Sequence, residues 1–488
     1  MHTLLKTTIK ALVLVLFTIQ LQAQSTTFQL VETETGLPIP FAAIEYGENT
    51  GTITNEEGYF SIPKEQMALK NTIHISSLGY DPITLNYDEY AFAKAPIALS
   101  PSVNTLNTVY LNNKRISVDT IMNRMFRNRG KNYTYTSKKQ RVFSRKSGKS
   151  TSKGLEIKYK KDTNLSRKEL DRINKKLAET DLSVNANYSE VLADYYTNDI
   201  SQTKLDIIKA TELSDGKNKG DVSDKAMATI RNILEDSTKT YKVKTGWIKV
   251  EDSLSFRDMV GKQDSLADKI ETKFSKKDID YLVHSNNFFS QFSNFDFITT
   301  QNRYKYILEE VWDTEDDRIY KIRFEPKKRK GKYAGTILIN DSDYAVLKIN
   351  YTYADGKRGR NLNFKWLLGF KYTETGYQGT LTTRKTNDGT YVTSYIKEEQ
   401  EREIYVNRPL KLVENKTKHK MKFNVKTTQV LLQKTELFFI SDTPLTDTDY
   451  TTISEKQYVP IEKLTEYNDT TWKNYEILEP LNEMKHYN

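Results

Sequence analysis

The chain of 488 residues contains no cysteine. No disulfide can form and no cysteine can carry a lipid, so the fold must depend on packing alone. Histidine is scarce, with five in the chain, and none has the His-x-Glu or His-x-x-x-His spacing of a zinc site. No Gly-x-Ser-x-Gly elbow is present, and no serine has a recognisable base partner. We therefore predict no catalytic residue, no metal, no cofactor and no enzymatic activity.

Long apolar runs are equally scarce. One begins near the start of the chain, at Ala11–Leu21, directly after Lys6 and Lys10. It is too short to cross a bilayer, and Ala23 offers a small residue at a cleavage point before Gln24. We predict a signal peptide at residues 1–23 and no transmembrane segment in the mature chain. The protein should be exported to the periplasm or the outer membrane without being a lipoprotein.

Tyrosine and phenylalanine are abundant, with 31 and 20 residues, which favours extensive β-structure. The 74 basic and 64 acidic residues leave a formal charge of +10. This modest bias suits an anionic envelope, and together with export it argues against a nucleic-acid partner.

The stretch Phe28–Ile62 predicts two hairpins, because glycine and proline interrupt runs of aromatic and β-branched residues. Three motifs occur there and just beyond it in order: Thr35–Ile44 (TGLPIPFAAI), Gly51–Phe60 (GTITNEEGYF) and Ile73–Tyr80 (IHISSLGY). They resemble the carboxypeptidase regulatory-like domain, although Phe28-Gln-Leu30 stands where that family usually has Gly-x-Val. The resemblance implies a non-catalytic, transthyretin-like β-sandwich over residues 24–115.

The next region, residues 116–300, is predicted to be a helix-rich connecting insertion. Ser117–Phe126 places Val118, Ile121, Met122 and Met125 on one helical face, and Ser166–Glu169 fits a capping box. A further helix is expected after Ser223. The order of the first helix, Asn132-Tyr133 and a strand at Gln140–Arg145 resembles the segment that follows the regulatory-like domain in envelope proteins of the Bacteroidetes type.

Apolar residues alternate with polar ones from Tyr304 onward, which predicts a large antiparallel curved sheet over residues 301–450. In the tail, residues 451–488, Trp472, Tyr475 and Leu478 are expected to pack back on that sheet. The predicted fold class is therefore mainly β with a helical insertion, in which an N-terminal β-sandwich is followed by a large sheet.

Two cation-rich turns are the candidate partner-binding residues. They comprise Lys327, Lys328, Arg329, Lys330, Lys357, Arg358 and Arg360. If both turns lie at one end of the sheet, they can contact phosphates or an acidic partner. Acidic turns at Asp313–Asp317 and at Asp442, Asp447 and Asp449 are weaker candidates for calcium, since acidic residues are ordinary in hairpin turns.

These features predict a non-enzymatic envelope protein that acts in binding or assembly with an envelope protein, a lipid or a glycan. One alternative is a periplasmic carrier of a lipid or lipoprotein with a half-barrel-like sheet, which needs a continuous apolar pocket. A second is a hydrolase whose acidic or hydroxyl groups converge only in the fold.

Overall fold

The computed structural model describes residues 26–47, 50–91, 95–102, 116–133, 136–178, 185–198, 202–214, 239–246, 248–255, 269–289, 293–313, 318–468, 470–472 and 475–487. They divide into two compact units, one within Met1–Val103 together with Tyr467–Tyr487 and the other within Asn104–Glu466. The predicted mainly-β class is confirmed. The predicted signal peptide and the helix expected after Ser223 lie outside the described residues.

The described part of the first unit forms two small sheets. Its strands are β1 (Thr26–Glu32), β2 (Ala43–Gly47), β3 (Thr50–Ile53), β4 (Tyr59–Ile62), β5 (Ile73–Ser76), β6 (Ile83–Leu85) and β7 (Ile97–Leu99), and its first helices are α1 (Lys64–Ala68) and α2 (Tyr87–Ala91). One sheet has the order β4-β1-β7 and the other β3-β2-β5-β6. The arrangement agrees with the β-sandwich predicted for this region.

Alternating residues of these strands form a single core. Leu30, Ile44 and Phe60 are fully buried, and the rings of Phe28 and Phe60 stack with centroids 5.3 Å apart. Gly58 closes the turn before β4 with a φ of +75°, and a Cβ there would lie 2.5 Å from the carbonyl oxygen of Leu30. This position therefore requires glycine.

The second unit is built on one large sheet. Its strands are β8 (Lys138–Asp162), β9 (Asn185–Thr197), β10 (Thr203–Leu213), β11 (Thr240–Thr245), β12 (Ile248–Ser255), β13 (Lys269–Glu271), β14 (Tyr304–Asp313), β15 (Arg318–Pro326), β16 (Tyr333–Asn340), β17 (Val346–Tyr353), β18 (Asn361–Phe364), β19 (Phe370–Lys385), β20 (Tyr391–Glu414), β21 (Lys420–Pro444), β22 (Tyr458–Pro460) and β23 (Glu462–Leu464). Its main order is β14-β15-β16-β17-β19-β20-β21-β8-β9-β10-β23. All these neighbours are antiparallel except β10 and β23, and β13 pairs separately with β22.

Helices cover part of this sheet. They are α3 (Val118–Asn132), α4 (Arg167–Ala178), α5 (Thr272–Ser285), α6 (Asp296–Thr299), α7 (Lys365–Leu368) and α8 (Asp447–Thr452), and α9 (Asn482–Lys485) belongs to the first unit. The predicted face of α3 is confirmed, because Ile121, Met122 and Met125 are buried in the main core with strand residues such as Ile337. Ser117 caps α3 by accepting the Thr120 N–H at 3.2 Å.

The helix-rich prediction for residues 116–300 needs correction. The capping box is present, since the Ser166 N–H donates to Glu169 Oε2 at 2.9 Å. However, strand residues outnumber helical ones in the described part of the region, and β8 pairs along its length with β21. Much of β8 is polar on both sides, with Gly148–Gly154 exposed or half-buried. This part of β8 is defined as a strand by its backbone hydrogen bonds to β21. Apolar and polar residues do not alternate clearly there, so the sequence signal for a β-strand is weak.

The expectation that the tail packs on the sheet is also wrong for its last part. β22 and β23 join the second unit, but Tyr467–Tyr487 belongs to the first. There Asn55 Nδ2 donates to the carbonyls of Glu479 and Pro480, each at 3.2 Å. The aromatic content of the tail indicates that it is anchored, but the surface that receives it depends on the Asn55 turn more than 400 residues away.

Candidate functional site

The two cation-rich turns predicted as binding residues lie together at one end of the large sheet. Lys327–Lys330 connects β15 to β16, and Lys357–Arg360 connects β17 to β18. Successive connections of an antiparallel meander alternate between its two ends, so these two fall at the same end. Lys357 Nζ donates to the carbonyl oxygen of Arg329 at 2.8 Å. We call the seven predicted cations of these two turns the cationic loop surface.

Backbone bonds fix the first of these turns. The N–H groups of Lys327 and Lys328 both donate to the carbonyl of Arg303, at 2.7 and 3.1 Å. The side chains from Lys327 to Lys330 are exposed, and in the described part of the chain none of them forms an ion pair. The backbone of this turn is therefore fixed, and its four cationic side chains are exposed to solvent without an ion pair to a described residue.

Neighbouring acids leave that charge largely uncompensated. Glu325 pairs instead with Arg323 at 2.8 Å and with Lys305 at 3.6 Å. Glu374 Oε2 accepts the backbone N–H of Arg360 at 2.7 Å, which orders the second turn. This end of the sheet is suited to binding anionic groups.

The acidic turns have structural roles wherever they are described. Asp449 and Thr446 form a capping box at the start of α8. Asp442 pairs with Lys138 at 3.8 Å and with Arg384, while residues 314–317 of the other turn lie outside the described residues. Among the residues whose placement is described, no three or more histidine or acidic side chains are grouped to hold a metal ion.

Glu398 of β20 is the centre of a buried polar cluster that the sequence did not indicate. Its Oε1 accepts from Ser285 Oγ at 2.8 Å and from Asn286 Nδ2 at 2.7 Å, and Asn294 and Tyr377 also contact the carboxyl. Burial raises the pKa of Glu398, and these donors oppose the rise. The carboxyl is thus buried and enclosed by neutral hydrogen-bond donors.

Tyrosines surround this cluster. Tyr351 donates to Asn286 Oδ1 at 3.0 Å. Both Tyr333 and Tyr377 lie with their ring centroids 5.2–5.8 Å from each other and from those of Tyr351 and Tyr353. Burial raises the pKa of both Tyr351 and Tyr377 well above the ordinary value, so these hydroxyls stay protonated. The predicted same-face alternation of Tyr351 and Tyr353 is present, and it leads to a filled core.

A cavity of about 100 Å³ lies beside this core, with Tyr133, Gln140, Tyr195, His284 and Tyr391 in its wall. Liquid water takes roughly 30 Å³ per molecule, so a few waters would fill it. Pockets for drug-sized ligands measure roughly 300–1,000 Å³. This cavity does not supply the continuous apolar pocket that a lipid carrier requires.

An apolar tip directly follows the cationic loop surface. Leu362, Phe364, Trp366 and Leu367 are all exposed, and Trp366 has 96% of its surface accessible. Three of these residues lie in the run from Phe364 to Phe370 (FKWLLGF). Apolar residues in such a run are usually buried, so the sequence alone did not predict their exposure. We call these four residues the apolar tip.

No protein-family model and no curated protein sequence matches the chain. Among solved structures, "Crystal structure of MucB in complex with MucA(peri)" aligns at 6% identity with a TM-score of 0.16, covering 71% of this chain and 99% of that one. "CymD monoaromatic hydrocarbon channel" aligns at 6% identity with a TM-score of 0.09, covering 67% and 94%. Neither similarity carries an argument. Across the described residues, none of the helices has the length and apolar character needed to cross a membrane.

Proposed function

We propose that this chain is an exported, non-enzymatic protein of the cell envelope that binds an anionic partner through the cationic loop surface. The hydrogen bond from Lys357 Nζ to the Arg329 carbonyl carries the proposal, because it joins two cation-rich turns into one surface. Exposed cationic side chains that form no ion pair with a described residue attract phosphate or carboxylate groups over about 10 Å at moderate salt.

Two further observations support parts of the proposal. The apolar run Ala11–Leu21 supports export. The two-sheet arrangement of the first unit, with glycine at the left-handed position of residue 58, is compatible with a regulatory-like domain. N-terminal sequencing of protein recovered from the envelope fraction is expected to begin at Gln24, and a sequence beginning in the apolar run would contradict cleavage there.

Charge reversal tests the surface. Replacing all four residues from Lys327 to Lys330 with glutamate should reduce association with isolated membranes and make the remaining association insensitive to salt. The matched control reverses Arg167, Lys168, Arg172 and Lys175, which are also exposed and lie on α4. The control changes formal charge equally, so equal loss in both variants would point to a net-charge effect and contradict a defined surface.

A further inference from the structure

We propose that the apolar tip inserts into the interfacial region of an anionic lipid bilayer while the adjoining cationic loop surface binds the lipid phosphates. The inference rests on the proposed function and names the class of its ligand. It depends on three features of the second unit: a fixed backbone at the tip, apolar side chains held in solvent, and cations directly beside them.

The backbone of the tip is firmly held. Gly369 ends α7 with a φ of +60°, and a Cβ there would lie 2.0 Å from the Asn407 carbonyl oxygen. The Asn407 N–H donates to the Gly369 carbonyl at 2.7 Å, and Arg408 Nη1 donates to the Leu368 carbonyl at 2.7 Å. Two residues of β20 therefore fix the turn, so the exposure of Trp366 is built into the fold.

The side chains at the tip have the composition of an interfacial anchor. Tryptophan prefers the boundary between lipid headgroups and acyl chains, where its ring is both apolar and able to donate a hydrogen bond. Leu367 follows it on the same turn, and Phe364 and Leu362 lie on β18, whose four residues are all exposed. Exposure of these apolar side chains to water is unfavourable in free energy, and insertion into a bilayer by a few ångströms would bury them.

Charge complementarity selects a bilayer as the occupant. Arg358 and Arg360 are exposed directly before β18, and Lys365 lies within the tip with its Nζ 4.1 Å from the Tyr405 ring centroid. Each basic residue near an anionic bilayer contributes about 1 kcal/mol of attraction. The apolar residues and these cations lie next to one another along one short hairpin, and an anchor in an anionic lipid leaflet requires both groups together.

Vesicle binding by the full chain tests the inference. Vesicles of phosphatidylcholine containing about one-third phosphatidylglycerol should sediment the protein, and pure phosphatidylcholine vesicles should do so far less. Replacing Trp366 with serine should weaken binding roughly tenfold, the effect of losing one buried aromatic side chain. Trp366→Phe should retain most of the affinity. The matched control is Leu69→Ser, which removes an apolar side chain 63% exposed in the first unit and should leave binding unchanged.

Tryptophan fluorescence gives a second readout. Trp312 and Trp472 are buried, and the fourth tryptophan, Trp247, lies outside the described residues. A blue shift on adding anionic vesicles is therefore assigned to insertion of the tip only if it disappears in Trp366→Ser. Circular dichroism melting confirms that each variant is folded.

The outcomes separate the two proposals. If reversal of Lys327–Lys330 abolishes vesicle binding but Trp366→Ser does not, insertion is refuted and the proposed function stands. If wild-type protein binds membranes only through a captured protein, and pure lipid vesicles never sediment it, the lipid ligand is refuted. If wild-type protein associates with neither membranes nor vesicles, the proposed function fails as well.

Discussion

Substitution of Glu398 tests whether burial in the second unit raises the pKa of this carboxyl. Burial raises the pKa of Glu398 above the ordinary value of 4.5, so the native state binds this proton more strongly than the unfolded chain does. The contribution of this group to stability is therefore fully present below pH 4.5 and is lost as the pH rises through the folded pKa. Glu398→Gln removes the titration but keeps an oxygen that can accept from Ser285 and Asn286.

The free energy of unfolding of Glu398→Gln should thus improve relative to wild type as the pH rises from 4 toward 8. Glu398→Ala behaves differently, because it removes the carboxyl that accepts from Ser285 Oγ at 2.8 Å and from Asn286 Nδ2 at 2.7 Å and leaves these donors the Leu282 carbonyl, at 3.2 and 3.0 Å. At about 0.5–1.5 kcal/mol for each of these two hydrogen bonds lost, it should destabilise the protein by about 1–3 kcal/mol.

Urea unfolding of the full chain, followed by circular dichroism at several pH values, measures both effects. Glu399→Gln serves as the control, since this neighbour on β20 is only partly buried. A pH-independent difference in the free energy of unfolding between Glu398→Gln and wild type would refute the raised pKa of Glu398. Equal stability of the alanine and glutamine variants would refute the role assigned to the two donors.

Three other substitutions have defined expectations. Glu190→Leu removes the carboxylate 2.7 Å from Nε of the fully buried Arg145 and should lower the free energy of unfolding in urea by about 3–5 kcal/mol. Adding Arg145→Met should recover most of this loss, and equal losses in the single and double variants would disprove the reasoning. Gly58→Ala should lower the Tm and reduce the free energy of unfolding by at least about 1–2 kcal/mol. Gly36→Ala should reduce it less, because a Cβ added at Gly36 has no atom within 4 Å. Asn55→Asp should keep the turn, because Oδ1 still accepts the Glu57 N–H, but it loses the donation from Nδ2 to the C-terminal segment. Limited proteolysis with mass spectrometry should then show faster cleavage in that segment, and an unchanged cleavage rate would contradict this.

Local chemistry made the first unit predictable. The Asn55–Gly58 turn follows from residues that are adjacent in the chain, since only a left-handed glycine allows β4 to approach β1. Alternation from Tyr304 onward likewise predicted the meander, and the geometry of a meander brought Lys357 to Arg329.

Non-local chemistry was not predictable. In the sequence, Glu398 resembles any other glutamate of a β-strand. Its role depends on Ser285, the last residue of α5, and on Asn286, which follows that helix. The middle of β8 has no apolar face, so its pairing partner β21 had to be known before it could be recognised as a strand. Trp366 escaped notice for the opposite reason, because composition predicts burial and only the fold leaves it in solvent.

The closure of the first unit by Tyr467–Tyr487 has a consequence for biosynthesis. The Asn55 amide cannot meet the carbonyls of Glu479 and Pro480 until the ribosome has made residues that follow the entire second unit. This contact with the tail therefore cannot form until the more than 350 residues of Asn104–Glu466 have been synthesised. A nascent chain arrested before residue 467 should carry a first unit that proteases and chaperones recognise as unfinished, even though all seven of its described strands have already been translated.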